Sequence, residues 1–265
     1  MRYIFHNLER IKNNLKGKYL FLFLDCDGTL APIAGSPDEA VISQKTKRLL
    51  GLLSQKKNCS VAIISGRALD DLKKKFGLKN IIYSGNHGLQ IEGARIRREL
   101  AVPRGYKKVL QCIKAQLKKA LSGVKGVLIE DKKLSLSLHF RLAGKAQLPF
   151  IKHTFRRSTI LYLAKNKIKV KGGKKVLEIM PPVDWDKGKI VLWLLARQAL
   201  ALKKDGILPI YIGDDLTDED AFNALKAKGL TVLVGKPRNS KADYYLKNTE
   251  EVTEFLRFIM DLKLS

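Results

Sequence analysis

Asp25 and Asp27 stand two residues apart at the end of an unbroken apolar run, Tyr19-Leu20-Phe21-Leu22-Phe23-Leu24, in a chain of 265 residues. Carboxylates in such a place are expensive to bury unpaired and call for a metal ion or a substrate as partner. Three more acids follow a second apolar run, Ile207–Ile212, in Gly213-Asp214-Asp215-Leu216-Thr217-Asp218. Several carboxylates in one site repel one another unless a divalent cation sits among them, and hard oxygen ligands without His or Cys suit Mg²⁺. The candidate metal ligands are therefore Asp25, Asp27, Asp214, Asp215 and Asp218. Mg²⁺ typically shares its shell with phosphate oxygens, so a phosphate substrate follows.

One carboxylate can attack phosphorus and become an aspartyl phosphate, and Asp25 is the natural candidate. Asp27 can then serve as general acid for the leaving alkoxide and as base for water in the second step. Ser65 ends a third apolar run, Cys59–Ile64. With the neighbouring backbone of Gly66 and Arg67 it can hold the non-reacting phosphoryl oxygens, while Lys187 places positive charge where the transition state is negative. Each has a plainer role when taken singly: Lys187 as a first-turn lysine, Ser65 as a turn serine, Asp218 at a helix start. Only their joint occurrence in this order is specific. Cys26 is turned to the other side by strand alternation and reads as a small buried thiol.

For these residues to meet, the apolar runs must be parallel strands of one sheet, buried on both faces. The intervening pattern agrees. Ile4, Leu8, Ile11 and Leu15 share a helix face; Ala31-Pro32-Ile33 and Ser36-Pro37 form a loop; Ser43 caps a helix with Leu49, Leu50, Leu52 and Leu53 on its apolar side. Leu69, Leu72 and Phe76 mark a helix closed by Gly77, and Ile81-Ile82-Tyr83 is a third strand leading into Gly85-Asn86-His87-Gly88. From about residue 105 the rhythm changes. A helix carries Tyr106, Val109, Leu110, Ile113, Leu117 and Leu121; then Leu134 to Arg141 alternates, setting Leu134, Leu136, Leu138 and Phe140 against helices and Ser135, Ser137, His139 and Arg141 on an open polar face. A helix from about Leu148 to Lys165 and a strand Lys175–Met180 complete this module. The first pattern then resumes with a helix Ile190–Leu202, the strand before Asp214, a capping box at Thr217 and Asp220 opening a helix to Lys228, the strand Thr231–Val234 and a closing helix through Val252, Phe255 and Ile259. The fold expected is α/β: a Rossmann-like parallel-sheet core, 1–104 and 181–265, with an inserted α/β domain at 105–180.

Composition narrows the partners. Lys and Arg number 51 against 25 Asp and Glu, a net charge of +26 that favours anionic substrates. The basic residues are mostly dispersed pairs, with no concentrated stripe, zinc finger or RNA-recognition motif, so specific nucleic-acid binding is not expected. Three cysteines without metal-type spacing read as reduced thiols. The apolar runs are too short for a signal peptide or a membrane span, and a cytoplasmic protein with no membrane partner is expected.

The ordered set Asp25-x-Asp27-x-Thr29, Ser65-Gly66-Arg67, Lys187 and Gly213-Asp214-Asp215-x-x-Asp218 resembles the four motifs of the haloacid dehalogenase superfamily of phosphohydrolases. The second aspartate of the first motif is absent from the dehalogenases themselves, so its presence implies a phosphatase or phosphotransferase. Nearly the whole chain is similar to the trehalose-6-phosphate phosphatases, through Asp25 to Ile33, Ile64-Ser65-Gly66-Arg67, Gly85-Asn86-His87-Gly88, His139-Phe140-Arg141, Trp185-Asp186-Lys187-Gly188 and Gly213 to Glu219. The resemblance implies Mg²⁺-dependent release of phosphate from trehalose 6-phosphate in trehalose biosynthesis. It makes the insert a cap that closes over a haloacid dehalogenase-like catalytic core. It also implies sugar or phosphate contacts from Glu130, Lys132, Arg141 and Glu178, places Asn86 and His87 near the cleft, and leaves room for functional pairing with a trehalose-6-phosphate synthase. Plainer readings stand beside these: a hairpin turn at Glu130 to Lys133, a surface lysine for Glu178, a structural His87. Cys26 stands where that family usually has an aromatic, and Met180 where a basic residue is common. The alternatives are a phosphatase of sucrose 6-phosphate or a mannosyl phosphate, or a catalytically silent anion-binding module.

Overall fold

The computed structural model describes residues 1–35, 39–93, 95–173, 175–203 and 206–262; the loop expected at Ser36-Pro37 lies outside them. The chain divides into two compact units, Met1–Glu99 with Trp185–Ser265, and Leu100–Asp184. The first unit carries β1 (Arg2–Tyr3), β2 (Tyr19–Leu24), β3 (Cys59–Ile64), β4 (Ile82–Gly85), β5 (Gln90–Gly93) and β6 (Ile96–Glu99). The second carries β7 (Leu128–Asp131), β8 (Leu136–His139), β9 (Lys169–Gly173) and β10 (Val176–Met180), after which the first unit adds β11 (Ile207–Gly213), β12 (Leu230–Val234) and β13 (Tyr244–Leu246).

The large sheet has the order β1-β13-β12-β11-β2-β3-β4-β5-β6. Neighbours from β1 through β4 are parallel, and β5 and β6 extend the edge antiparallel. Leu20, Leu22, Leu24 and Cys26 join an apolar cluster with the helices Leu8–Leu15, Gln44–Gln55, Leu69–Phe76 and Thr249–Asp261. Phe21 and Phe23 pack into a second cluster with the helices Lys187–Leu202 and Glu219–Ala224. Both faces of β2 are therefore covered, which is why its sequence is apolar at every position. The α/β class with a parallel-sheet core is borne out.

Some local expectations are corrected. Ser43 does cap its helix, accepting the Thr46 N–H at 3.0 Å, but Leu52 is 41% exposed, off the buried side defined by Leu49, Leu50 and Leu53. The third strand starts at Ile82 and runs to Gly85. The capping box lies at Asp215 and Asp218, because a short 3-10 turn, Leu216–Asp218, precedes the helix Glu219–Ala224 and leaves Thr217 inside that turn. The short strands β1, β5, β6 and β13 lie outside the expected pattern; β1 and β6 form the two edges of the sheet and carry charged residues, as edges often do.

In the second unit β7-β8-β10-β9 form an antiparallel sheet. Leu110, Ile113 and Leu117 of the helix Tyr106–Leu121, and Ile151 and Phe155 of Leu148–Ala164, pack with Leu136, Leu138 and Ile179. The polar side departs from the expected open face. Ser135 and Ser137 are buried, their hydroxyls donating to Glu178, and of the four polar residues Arg141 is the exposed one. Among the described residues no helix is long and apolar enough to cross a membrane. Cys26 and Cys59 are free and buried, and Cys112 is free and exposed.

Candidate active site

Asp25 follows the last residue of β2, Ser65 that of β3 and Asp214 that of β11, and these three strands are parallel neighbours. Such residues share one rim of the sheet. The register is held through the backbone, where Asp25 N–H donates to the Ile212 carbonyl and Ser65 N–H to the Ser84 carbonyl, both at 2.9 Å.

Asp25, Asp214 and Asp218 are buried and offer carboxylate oxygens that lie within 4.8 Å of one another. Lys187 Nζ donates to Asp25 Oδ1 at 2.7 Å and to Asp218 Oδ1 at 2.6 Å. The lysine opens the helix Lys187–Leu202, and its neighbour Asp186 caps that helix by accepting the Lys189 N–H, which fixes where the ammonium enters the site. Tyr211 donates its hydroxyl to Asp218 Oδ1 at 2.7 Å, and Asp215 N–H donates to Asp218 Oδ2 at 2.9 Å. Asp218 is thus held from three directions and anchors Lys187. Asp25 and Asp214 are the groups best placed to hold a cation.

Burial pushes the Asp25 carboxyl well up, against the pull of Lys187 and with the help of Asp218 and Asp214. Burial also opposes the charge on Lys187, but Asp218 and Asp25 outweigh it and hold the ammonium well above its usual range. Three clustered carboxyl groups beside one ammonium form a set of hard oxygen donors without His or Cys, which suits a divalent cation. The loop after β2 closes tightly on this group. Gly28 has φ +90°, and a Cβ there would stand 2.3 Å from Asp214 Oδ2, so any other residue would strain the loop and push on that carboxylate.

Asp27 and Asp215 lie outside the cluster although the sequence groups them with the metal ligands. Both oxygens of Asp27 face Arg67, with Nε at 2.7 Å and Nη2 at 2.6 Å. Asp215 Oδ1 is taken by the Leu216 N–H at 2.8 Å. Ser65 Oγ accepts the Arg67 N–H at 3.2 Å. The turn Ser65-Gly66-Arg67 is bonded to the next rim loop, with Asn86 N–H on the Arg67 carbonyl at 2.7 Å and His87 N–H on the Ser65 carbonyl at 3.0 Å. The contact is close because position 66 is glycine: a Cβ would lie 2.5 Å from His87 Nε2. Asn86 and His87 sit at φ +51° and +53°, a backbone region that non-glycine residues adopt when the surroundings impose it.

In the second unit Glu130, Ser137 and Glu178 stand in register across β7, β8 and β10. Lys132 Nζ donates to Glu178 Oε1 at 2.9 Å, and His139 Nε2 lies 2.8 Å from Glu130 Oε2. Burial raises the Glu130 carboxyl, but the His139 hydrogen bond and Lys132 bring it below its ordinary range overall. Glu130, Lys132 and Glu178 therefore form one polar row, with Arg141 exposed on the turn after β8.

Several contributors escape sequence reasoning. Tyr211 looks like one more core aromatic, and its only signal is a hydroxyl in an otherwise aliphatic strand end. Asp71 accepts from Arg67 Nη1 at 2.8 Å, and Arg238 Nη2 donates to the Asp214 carbonyl at 3.0 Å.

The trehalose-phosphatase family model matches residues 23–250. The chain is 33% identical over 267 residues to trehalose-phosphate phosphatase B of Arabidopsis thaliana, covering 96% of this chain and 70% of that protein. It is 35% identical over 261 residues to probable trehalose-phosphate phosphatase 4 of Oryza sativa subsp. japonica, with the same coverage of 96% and 70%. Among solved structures, the C-terminal domain of C. albicans trehalose-6-phosphate phosphatase superposes with a TM-score of 0.82 at 28% identity, covering 97% of this chain and 98% of that one.

Proposed function

Because the chain belongs to the trehalose-phosphatase family, phosphoric monoester hydrolases of the haloacid dehalogenase superfamily, we propose that it hydrolyses trehalose 6-phosphate to trehalose and phosphate through an aspartyl phosphate on Asp25. The observation that carries this is Lys187 bridging Asp25 and Asp218 beside Asp214 at the rim where β2, β3 and β11 end. The hard oxygen donors there fit Mg²⁺, which Asp25 and Asp214 would hold. When bound, that ion supplies charge compensation for a phosphoryl group.

The chain's own residues supply the rest. Asp25 attacks phosphorus while the bond from phosphorus to the sugar oxygen breaks, its electron pair going to that oxygen, which takes a proton from Asp27. Water then attacks the phosphoryl group and gives its proton to Asp27; the bond to Asp25 breaks, freeing phosphate and restoring the carboxylate. Lys187, fixed by Asp218, keeps Asp25 oriented and offsets negative charge in both steps. Ser65 and the Gly66 backbone receive the non-reacting oxygens.

Residues 1–104 and 181–265 act as the catalytic core in this proposal, and 105–180 as the cap. Glu130, Lys132, Arg141 and Glu178 bind sugar hydroxyls, which demand charged or amide partners and so allow a wrong sugar to be rejected. Asn86 and His87 brace the Ser65 turn. A cytoplasmic setting, supported by three free thiols, and a position after a trehalose-6-phosphate synthase complete the proposal. Phosphate release from trehalose 6-phosphate, sucrose 6-phosphate and a mannosyl phosphate tests the substrate. The trehalose ester should be turned over best, and turnover of another sugar phosphate without it would reject the assignment.

A further inference from the structure

Arg67 resembles a phosphate-binding arginine when met in Ser65-Gly66-Arg67, yet its guanidinium is committed elsewhere. Nε and Nη2 grip both oxygens of Asp27 at 2.7 and 2.6 Å, Nη1 donates to Asp71 Oδ2 at 2.8 Å, and the side chain is 7% exposed. Asp71 sits in the first turn of the helix Leu69–Phe76, four residues on from the arginine, so the far edge of the guanidinium is pinned to a rigid element. The Arg67 backbone is fixed as well, its N–H on Ser65 Oγ at 3.2 Å and its carbonyl accepting the Asn86 N–H at 2.7 Å. Asp27, by contrast, follows the end of β2 in a loop and is 39% exposed. A carboxylate in that position turns freely in water unless something sets its plane. A two-pronged guanidinium does that, because its parallel N–H bonds define an orientation as well as a distance.

We propose that Arg67 is a positioning residue, anchored by Asp71, that aims the carboxyl group of Asp27 for proton transfer and does not bind the phosphoryl group. The proposal rests on the reading of Asp27 as the proton-transferring residue, and it adds Asp71 to the apparatus of the site. Lysine at position 67 keeps the charge but has no fork, so Arg67→Lys separates aiming from simple charge compensation.

A double-mutant cycle provides the test, using phosphate release from trehalose 6-phosphate by the full chain with Mg²⁺. Arg67→Lys should lower kcat about 30-fold in the native background, a part of the roughly 10²–10⁴-fold that a well-placed general acid or base contributes. In the Asp27→Ala background the same change should cost less than about threefold, because the residue through which Arg67 acts is gone. An equal loss in both backgrounds would overturn the proposal, since Arg67 would then act on the phosphate or on the fold at large. If Arg67→Lys does not fold, Asp71→Asn takes its place. It should show the same background dependence at smaller amplitude, about fivefold against no loss, and equal losses would again overturn the proposal. Full activity in Asp27→Ala alone would refute the role given to Asp27, and this proposal with it, a result distinct from equal losses in the two backgrounds.

Discussion

Lys187 is a single charge set between two buried acids, and removing it tests the site without any substrate. Lys187→Met leaves Asp25 and Asp218 without their shared ammonium, Asp218 fully buried and Asp25 nearly so. Breaking a buried ion pair on one side typically costs about 3–5 kcal/mol. The urea midpoint should fall accordingly, and an unchanged midpoint would show that the carboxylates do not depend on the lysine. At this scale the sequence discloses residue types better than pairings. Asp25, Ser65, Lys187 and Asp214 are legible because each stands just after a strand or at a helix start, where chemistry-bearing side chains reach one rim. The grip of Arg67 on Asp27 is not, since 40 residues separate them and no local pattern links the two. Tyr211 is hidden because a strand tyrosine and a core phenylalanine look alike until the hydroxyl finds Asp218.

Among elements, strands buried on both faces announce themselves most clearly. β2, β3 and β11 are apolar throughout, whereas β5 and β6 alternate weakly and carry Arg97, Arg98 and Glu99, a composition equally suited to a loop. The small antiparallel sheet is legible at its helices, at β8 and at β10; its polar face is not, because Lys132 and Glu178 lie on opposite sides of β8 in the chain and meet only in the fold. That face carries a pH-dependent load. Glu130 titrates below its ordinary range when folded, so its pairing with His139 and Lys132 adds stability that is fully present above the ordinary glutamate value of about 4.3 and is lost as pH falls through the lowered one. Glu130→Gln should be less stable than the native chain at about pH 6, and the gap should close on acidification below about pH 4. A gap of constant size, measured by urea unfolding across that range, would contradict the pairing.

For the whole molecule, the resemblance to trehalose-6-phosphate phosphatases read from scattered motifs is matched over residues 23–250 by the family model. It was legible because the motifs occur in a fixed order around an insertion. The net charge of +26 belongs to this scale too. A field of that sign gathers a dianionic ester, so kcat/KM should fall as ionic strength rises from about 0.01 to 0.15 M, where the screening length contracts from about 30 to 8 Å. Since the gain lies in encounter, kcat should stay level; a kcat that falls with kcat/KM would place the salt effect inside the site. Asp25 is proposed above as the nucleophile of a cation-dependent phosphatase. The decisive assay is phosphate release from trehalose 6-phosphate with the native chain and with Asp25→Asn, each in Mg²⁺ and in EDTA. Release by the native chain in Mg²⁺ alone is the result expected; release that persists in the variant, or in EDTA, would contradict it.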